Sequence, residues 1–317
     1  MTTFSPKVSI VMPAFNRAHS LSMAIESVLR SDMTDWELII VDDGSIDNTR
    51  AIIESYMAKD CRIRGAFHER NMHVHSAKNT GLDLMQGEWF TILDSDDEML
   101  PSAFTDMLCL LSTVDPSIDA ITCNCSDSIS GEFTGKGLDH DQWLDFEKLV
   151  TKCSGEYWGI TKRSLLGNER FNSKMRGGAE QILWWKLSLR ARRYYLHKAL
   201  RIYHTEGVDR ISTTTTMNKN NFADRIEFYK EMALETEYLE VMKTLRPIDY
   251  AFILRNITLA MTILGRQREA WKVYREAKRY FSFKQRFPLY IVLLGGRTVL
   301  QACVNVRLYV DQINRLK

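Results

Sequence analysis

The first 125 residues alternate short apolar runs with stretches whose apolar positions recur at helical spacing. Val8 to Met12, Glu37 to Val41, Trp89 to Leu93 and Ala120 to Cys123 read as strands. Between them Leu21, Ile25, Val28 and Leu29 fall on one helical face, and further helices are expected from Asn48 to Met57 and from Ser76 to Met85. Pro101 suits the first turn of a fourth helix, where a missing N–H is no loss. This alternation predicts an open, mainly parallel α/β sheet, in which ligands bind beyond the carboxyl ends of the strands. Three strands exit into Pro13-Ala14-Phe15-Asn16-Arg17, Asp42-Asp43-Gly44-Ser45 and Asp94-Ser95-Asp96-Asp97, so three polar clusters should meet on one edge. From Gly131 to Gly178 the pattern is irregular, and a helix resumes from Glu180 to Arg190. Thr213 to Asn221 reads as a polar linker and Phe222 to Lys317 as nearly continuous helical pattern, with no internal repeat.

Composition narrows the class. With 45% hydrophobic and 26% charged residues over 317 positions, the chain has material for a substantial core and is not a disordered protein. Its six cysteines form no C-x-x-C pair, so neither a zinc site nor a disulfide framework is indicated, and a reducing cytoplasm is the expected setting. The N-terminus MTTFSPKVSIVMP lacks the charged and long apolar regions of a signal peptide. A net charge of +2 conceals an uneven distribution, since residues 265–317 carry twelve Lys or Arg against three Asp or Glu. There Ala270, Tyr274, Ala277 and Phe281 share a helical face ringed by Arg268, Lys272, Arg275, Lys278 and Arg279. The uncharged runs Phe287 to Gly296 and Thr298 to Val306 are each too short to span a bilayer. A tail lying on anionic lipid is one expectation; a helical cap docked on the body, or a dimer contact, is the other. Basic residues around an apolar face, without a stacking platform, argue against nucleic acid.

The strand exits carry the candidate chemistry. In Asp94-Ser95-Asp96 a turn lets both carboxylates face one crevice, and hard oxygen ligands suit Mg²⁺ or Mn²⁺. Such an ion would neutralise charge developing on a departing diphosphate. Asp42 and Asp43 follow a buried strand; a carboxylate there can accept the imide N–H of a uracil or thymine, while Asp42 also suits a capping role. Phe15 can stack on a base or simply pack.

Together VSIVMPAFNR, ELIIVDDGSIDNT and GEWFTILDSDDEMLP, in this order and spacing, resemble the inverting family 2 glycosyltransferases of the GT-A fold over about residues 7 to 212. The resemblance implies a GT-A-type α/β nucleotide-diphospho-sugar transferase fold with a central mainly parallel sheet. It sets a catalytic domain over residues 1–212, donor-binding to 125 and acceptor-binding from 126, before a helical C-terminal region over 213–317. It assigns the metal to Asp96, places Asp94 near the ribose, and gives the base to Asp43. Donor contacts are expected from Pro13, Phe15, Asn16, Arg17, Asp42, Asp43, Lys78, Asp94, Ser95 and Asp96. His73 and Lys78 stand where the family shows Gly and Arg; Lys78 keeps a charge for a diphosphate without bidentate geometry. His73 and His75 read as solvated loop residues. An inverting transfer needs a base opposite the leaving group, and Glu180 occupies the family's catalytic Asp position, preceded by Ala179 where a carboxylate is usual. His204 matches a metal- or diphosphate-binding position and joins Asp94 and Asp96 as a candidate ligand. Asp97, Tyr157, Trp158 and Trp184 are candidate acceptor contacts, with one of Trp184 and Trp185 expected in the core; Glu156, Asp139 and Asp141 are reserve bases.

The expected activity is metal-dependent (Mn²⁺ or Mg²⁺) inverting transfer of a hexose from a nucleoside-diphosphate sugar, UDP-sugar first, to a lipid-linked glycan or polysaccharide, at the inner face of the cell membrane. Because Ala179, Lys78 and His73 depart from the pattern, a non-catalytic sugar-nucleotide-binding or membrane scaffold protein is the alternative. A nucleotidyltransferase is disfavoured, as no glycine-rich phosphate loop follows the first strand.

Overall fold

Val8–Ala14 (β1) and Trp36–Asp42 (β2) are buried at every position. This is what continuous apolar runs predict for strands covered on both faces. Even-numbered residues of β1, Val8, Ile10 and Met12, pack with Leu21, Ala24, Ile25 and Val28 of the helix Leu21–Leu29. On the other face Val11, with Ile39 and Val41 of β2, packs with Ala77 and Leu82 of the helix Val74–Leu84. Gly81 lets that helix approach closely, since a Cβ there would lie 2.3 Å from Val11 Cγ1.

This computed structural model describes residues 6–175, 180–205, 222–281, 283, 286–296 and 298–299. Beyond β1 and β2, its sheet contains Ile63–Phe67 (β3), Trp89–Ile92 (β4), Glu98–Met99 (β5), Ala120–Asp127 (β6), Gln142–Trp143 (β7), Tyr157–Lys162 (β8) and Arg193–Tyr203 (β9). The order is β3-β2-β1-β4-β8-β6-β9-β5, with β7 also on β9. Strands β1 to β4, β6 and β9 share one direction and β5, β7 and β8 run against it. The sheet is therefore mainly parallel.

The expected helices at Asn48–Met57 and Ser76–Met85 form as Thr49–Met57 and Val74–Leu84. The helix after Pro101 starts at Ala103. The stretch read as irregular, Gly131 to Gly178, is more ordered than its pattern implied. It supplies β7, the helix Phe146–Thr151 and β8, which inserts antiparallel between β4 and β6. Helix Phe146–Thr151 begins at Asp145, whose carboxylate accepts the Lys148 N–H.

The chain divides into two compact units, residues 1–216 and 217–317. In the second, helices span Phe222–Met232, Thr236–Leu245, Pro247–Ile263, Gln267–Ala277 and residues 286–296. The amphipathic face expected to meet lipid is instead used internally, for Ala270, Tyr274, Ala277 and Phe281 are all buried. A different face is left to solvent. Phe287, Tyr290, Ile291 and Leu294 are exposed at helical spacing, with Phe283 stacked on Phe287, while Leu289, Val292 and Leu293 are buried. No helix among the described residues is long and apolar enough to cross a membrane. The polar stretch Thr213–Asn221 and most of the run Thr298–Val306 lie outside the described residues.

Candidate active site

Register aligns the exits of the parallel strands: Ala14 pairs with Asp42, and the Leu93 N–H at the end of β4 donates to the Val11 carbonyl. The first two exit loops are joined by reciprocal hydrogen bonds. Asn16 Oδ1 accepts from the Ile46 N–H, the Asn16 N–H donates to Ser45 Oγ, and the Arg17 N–H donates to Thr49 Oγ1. Asn16 takes a left-handed conformation to do so (φ 54°). Asp42 Oδ1 accepts the Ser45 N–H three residues on. Asn16 and Asp42, expected at the nucleotide, thus spend polar groups on the framework, and Pro13 is a buried β1 residue. Phe15 remains 39% exposed and free to stack.

Asp43 is buried, and one of its oxygens is committed. Oδ1 accepts from His68 Nδ1 at 2.7 Å and from the Met72 N–H at 2.8 Å, while His68 Nε2 lies 2.9 Å from Thr80 Oγ1. No hydrogen bond to Oδ2 forms among the described residues.

At the third exit Ser95 is buried, its carbonyl accepting from the Ser20 hydroxyl. Asp96 faces Arg17, with Nη2 to Oδ2 at 3.6 Å. Asp94 Oδ1 lies 3.8 Å from Lys78 Nζ, which donates to Glu180 Oε1 at 2.7 Å. Burial works to raise Asp94, but Lys78, then Arg201 and Arg17, outweigh it and hold the carboxyl below its ordinary value. Burial likewise works to lower Lys78, and Glu180 and Asp94 reverse it, so the lysine stays an ammonium. The expectation of Lys78 as a simple phosphate contact is therefore revised: its ammonium is taken up between two carboxylates. Glu180 opens the helix Glu180–Arg190, where a negative charge is favoured, and is 36% exposed at its side chain. Ala179 lies outside the described residues.

Three further placements correct the sequence reading. His75 is fully buried in the helix Val74–Leu84, stacked on Phe171 and donating from Nδ1 to the Asn172 carbonyl, so it is not a solvated loop residue. Asp97 is buried, with Oδ1 accepting the His204 N–H and Oδ2 3.4 Å from Arg201 Nε. Burial pushes its carboxyl up to about 7 despite Arg201, with Asp94 and Asp96 adding to the effect, and it is a framework residue rather than an acceptor contact. Trp158 is buried with its indole N–H donating to the Ile92 carbonyl; Tyr157 packs edge-on to Tyr195 with its hydroxyl donating to the Lys136 carbonyl; Trp184 packs on Phe171. Trp158 is thus committed to the core by the interior strand β8, and the half-buried Tyr157 and Trp184 spend ring faces or hydroxyl on neighbouring residues rather than leaving them open.

Two residues the sequence left in the background prove central. Arg201 on β9 is buried, holding Glu156 Oε1 at 2.9 Å from Nη2 as well as Asp97. The signal was a single arginine inside the apolar run Leu200-Arg201-Ile202-Tyr203. Glu156, named only as a reserve base, has its carboxyl raised by burial, with Asp94 and Glu180 contributing and Arg201 opposing. Arg201 thus links it to Asp97 at the third strand exit. Asp139 pairs with His140 on the exposed surface and Asp141 accepts the His197 N–H. His204 lies beside Glu98, Nε2 to Oε1 at 3.1 Å. Among the described residues no three His, Cys, Asp or Glu side chains cluster as a metal would require, so Asp94, Asp96 and His204 do not form a ready-made ligand set. Asp94 and Asp96 still offer hard oxygen donors, which fits an ion whose remaining ligands are diphosphate oxygens.

Comparison with known proteins identifies the family. Residues 9–160 match the family described as Glycosyl transferase family 2. The GalNAc(5)-diNAcBac-PP-undecaprenol beta-1,3-glucosyltransferase of Campylobacter jejuni is 35% identical over 221 residues, 67% of this chain and 69% of that protein. The chondroitin synthase of Pasteurella multocida is 29% identical over 68% of this chain and 22% of its own length. Among solved structures, S. aureus TarS 1–349 in complex with UDP-GlcNAc superposes with a TM-score of 0.67 at 16% identity, covering 93% of this chain and 89% of that one, a likeness of fold. The chain belongs to glycosyltransferase family 2 and has the family's GT-A architecture. It is a glycosyltransferase, which sets aside the scaffold alternative.

Proposed function

We propose that this glycosyltransferase moves a hexose from a UDP-sugar to a lipid-linked glycan, with inversion at the anomeric carbon and Glu180 as the base. The observation that carries this is Lys78, whose ammonium joins Asp94 of the donor edge to Glu180, bringing both ends of the reaction into one crevice. Asp43 keeps one carboxylate oxygen for the N3–H of uracil, and Phe15 is exposed to stack on the ring. Arg17, beside Asp96, would meet the diphosphate. Asp94 and Asp96 would hold Mn²⁺ or Mg²⁺, which supplies charge neutralisation to the leaving diphosphate. The acceptor hydroxyl attacks the anomeric carbon as its proton passes to the Glu180 carboxylate; the bond from that carbon to the phosphate oxygen breaks and UDP departs.

A lipid-linked acceptor is supported by the name of the Campylobacter relative and by the exposed apolar stripe of residues 286–296 in a basic region, which suits peripheral contact with an anionic membrane. The test is a panel of UDP-, GDP- and dTDP-hexoses with polyprenyl-diphosphate oligosaccharides, assayed for glycosylated product with Mn²⁺, Mg²⁺ or EDTA. Product from a UDP-hexose, lost in EDTA, is expected. Turnover unaffected by EDTA would remove the metal from the reading, and preference for a GDP-sugar would remove uridine.

A further inference from the structure

A uracil ring presents its N3–H to a base-reading carboxylate, and discrimination depends on which oxygen of that carboxylate is free and how firmly it is aimed. Asp43 is fixed at both levels. Its backbone N–H donates to the Ala14 carbonyl at 2.8 Å and the carbonyl of Asp42 accepts the His68 N–H at 2.9 Å, so the turn and the residues after β3 are tied through the main chain. At the side chain, Oδ1 takes two donors, the Met72 N–H and His68 Nδ1. Because the partner is a carboxylate, His68 must carry its proton on Nδ1 there. Thr80 Oγ1, on the helix Val74–Leu84, lies within hydrogen-bond distance of Nε2 and holds the other end of the imidazole. The side chains of His68 and Asp43 are 17% and 4% exposed, so the ring, like the carboxylate it holds, is largely covered.

We propose that His68 is a specificity-determining positioning residue: clamped between Thr80 and Asp43, it fixes the carboxylate so that Oδ2 alone faces the base, and thereby selects a pyrimidine bearing an N3–H over cytosine. Cytosine carries a lone pair at N3, which a fixed carboxylate oxygen repels; a uracil donates to it. A carboxylate free to rotate, or able to recruit a proton or a water, loses that contrast. The inference rests on Asp43 being the acceptor of the base N–H.

The Asn and Gln variants of His68 separate positioning from bulk. The amide N–H of Asn reaches the place of Nδ1, and that of Gln the place of Nε2. H68N therefore retains the hydrogen bond to Asp43, whereas H68Q retains only the Thr80 end. UDP and CDP binding to the full chain is measured by calorimetry, with and without Mn²⁺, alongside thermal unfolding and donor kinetics. H68Q is expected to weaken UDP binding roughly tenfold, to narrow the UDP-over-CDP preference, and to raise donor KM while leaving kcat at saturating donor unchanged. H68N should stay close to the unmutated protein in all three. Equal UDP-over-CDP ratios in the two variants and the unmutated protein would overturn the proposal, as would equal impairment of both variants. D43A separates the two levels: unchanged UDP binding in D43A would sink the base-acceptor reading itself, while loss in D43A with no loss in H68Q would sink only the role of His68.

Discussion

Lys78 illustrates how a conservative-looking change at one position redistributes a site's charges. An arginine would present a planar fork to phosphate or carboxylate, whereas the compact ammonium of Lys78 sits buried between Glu180 and Asp94. Without it Glu180 would lose its hydrogen-bonded cation and Asp94 would keep only the more distant Arg201 and Arg17. Glu180→Gln keeps the side chain's shape but removes its proton affinity, so turnover should fall by roughly 10² to 10⁴-fold with UDP affinity nearly unchanged. Lys78→Met should lower turnover as well, but it should also weaken donor binding, because Asp94 loses its neighbouring cation. Steady-state kinetics and UDP calorimetry on both variants check this. Near-normal turnover in the Gln variant would shift the base to Glu156, which Arg201 holds. At this scale Asp43, Asp94 and Asp96 stood out as candidates because their charge directly follows apolar strands, whereas Glu180, in the first turn of a helix, was singled out only through the family resemblance. The Lys78–Glu180 pair was not legible, since 102 residues separate the partners and no local pattern encodes the contact. Arg201 escaped for the opposite reason, its strand context reading as core.

The elements that build the donor edge depend on one close approach. Gly44 has φ +73°, and a Cβ there would lie 2.4 Å from the Arg70 carbonyl carbon and 2.8 Å from the Asn71 backbone nitrogen. Both facts exclude a side chain, because the strain of a left-handed residue adds to a collision with main chain that has no soft end to yield. Gly44→Ala should therefore destabilise the protein by about 1–3 kcal/mol and separate Asp43 from His68 and Met72. Thermal unfolding and UDP calorimetry would read the two effects together, and a variant with native stability and affinity would show that the turn can move without consequence. Strands β1, β2 and β4 were visible beforehand because helices on both faces demand unbroken apolar runs. Strand β8 was hidden because Tyr157-Trp158-Gly159-Ile160-Thr161-Lys162 mixes aromatic, glycine and polar positions, its burial varying along the strand. Strand β9 was equally mixed, with Arg193, His197, Lys198 and Arg201 interrupting its apolar residues, and a register shift against Cys123, Asn124 and Cys125 breaks its alternation further.

At the scale of the whole chain, charge and apolar surface divide unevenly between the two units. The segment from Gly265 onward holds the basic excess, and on the helix Gln267–Ala277 its cations Arg268, Lys272 and Arg275 point to solvent while the apolar face is buried. The periodicity identified the right helix but not what its face would meet. The exposed apolar side chains lie on the next helix, where Tyr290 is 42% and Leu294 65% exposed. Cations nearby would draw the unit to an anionic surface, and the side chains would hold it there by leaving water; these two contributions respond differently to salt and to mutation. The full-length protein should co-sediment with phosphatidylglycerol vesicles more strongly than with phosphatidylcholine, and added NaCl should reduce but not abolish the retention. Replacing Tyr290 and Leu294 together by Ser removes two exposed apolar groups without unpacking Leu289, Val292 or Leu293, so it should lower the partition coefficient at least tenfold while leaving UDP binding intact. Unchanged sedimentation of the double variant would show that lipid does not meet this stripe, and equal retention on neutral vesicles would show that the basic excess does not direct the chain to the membrane.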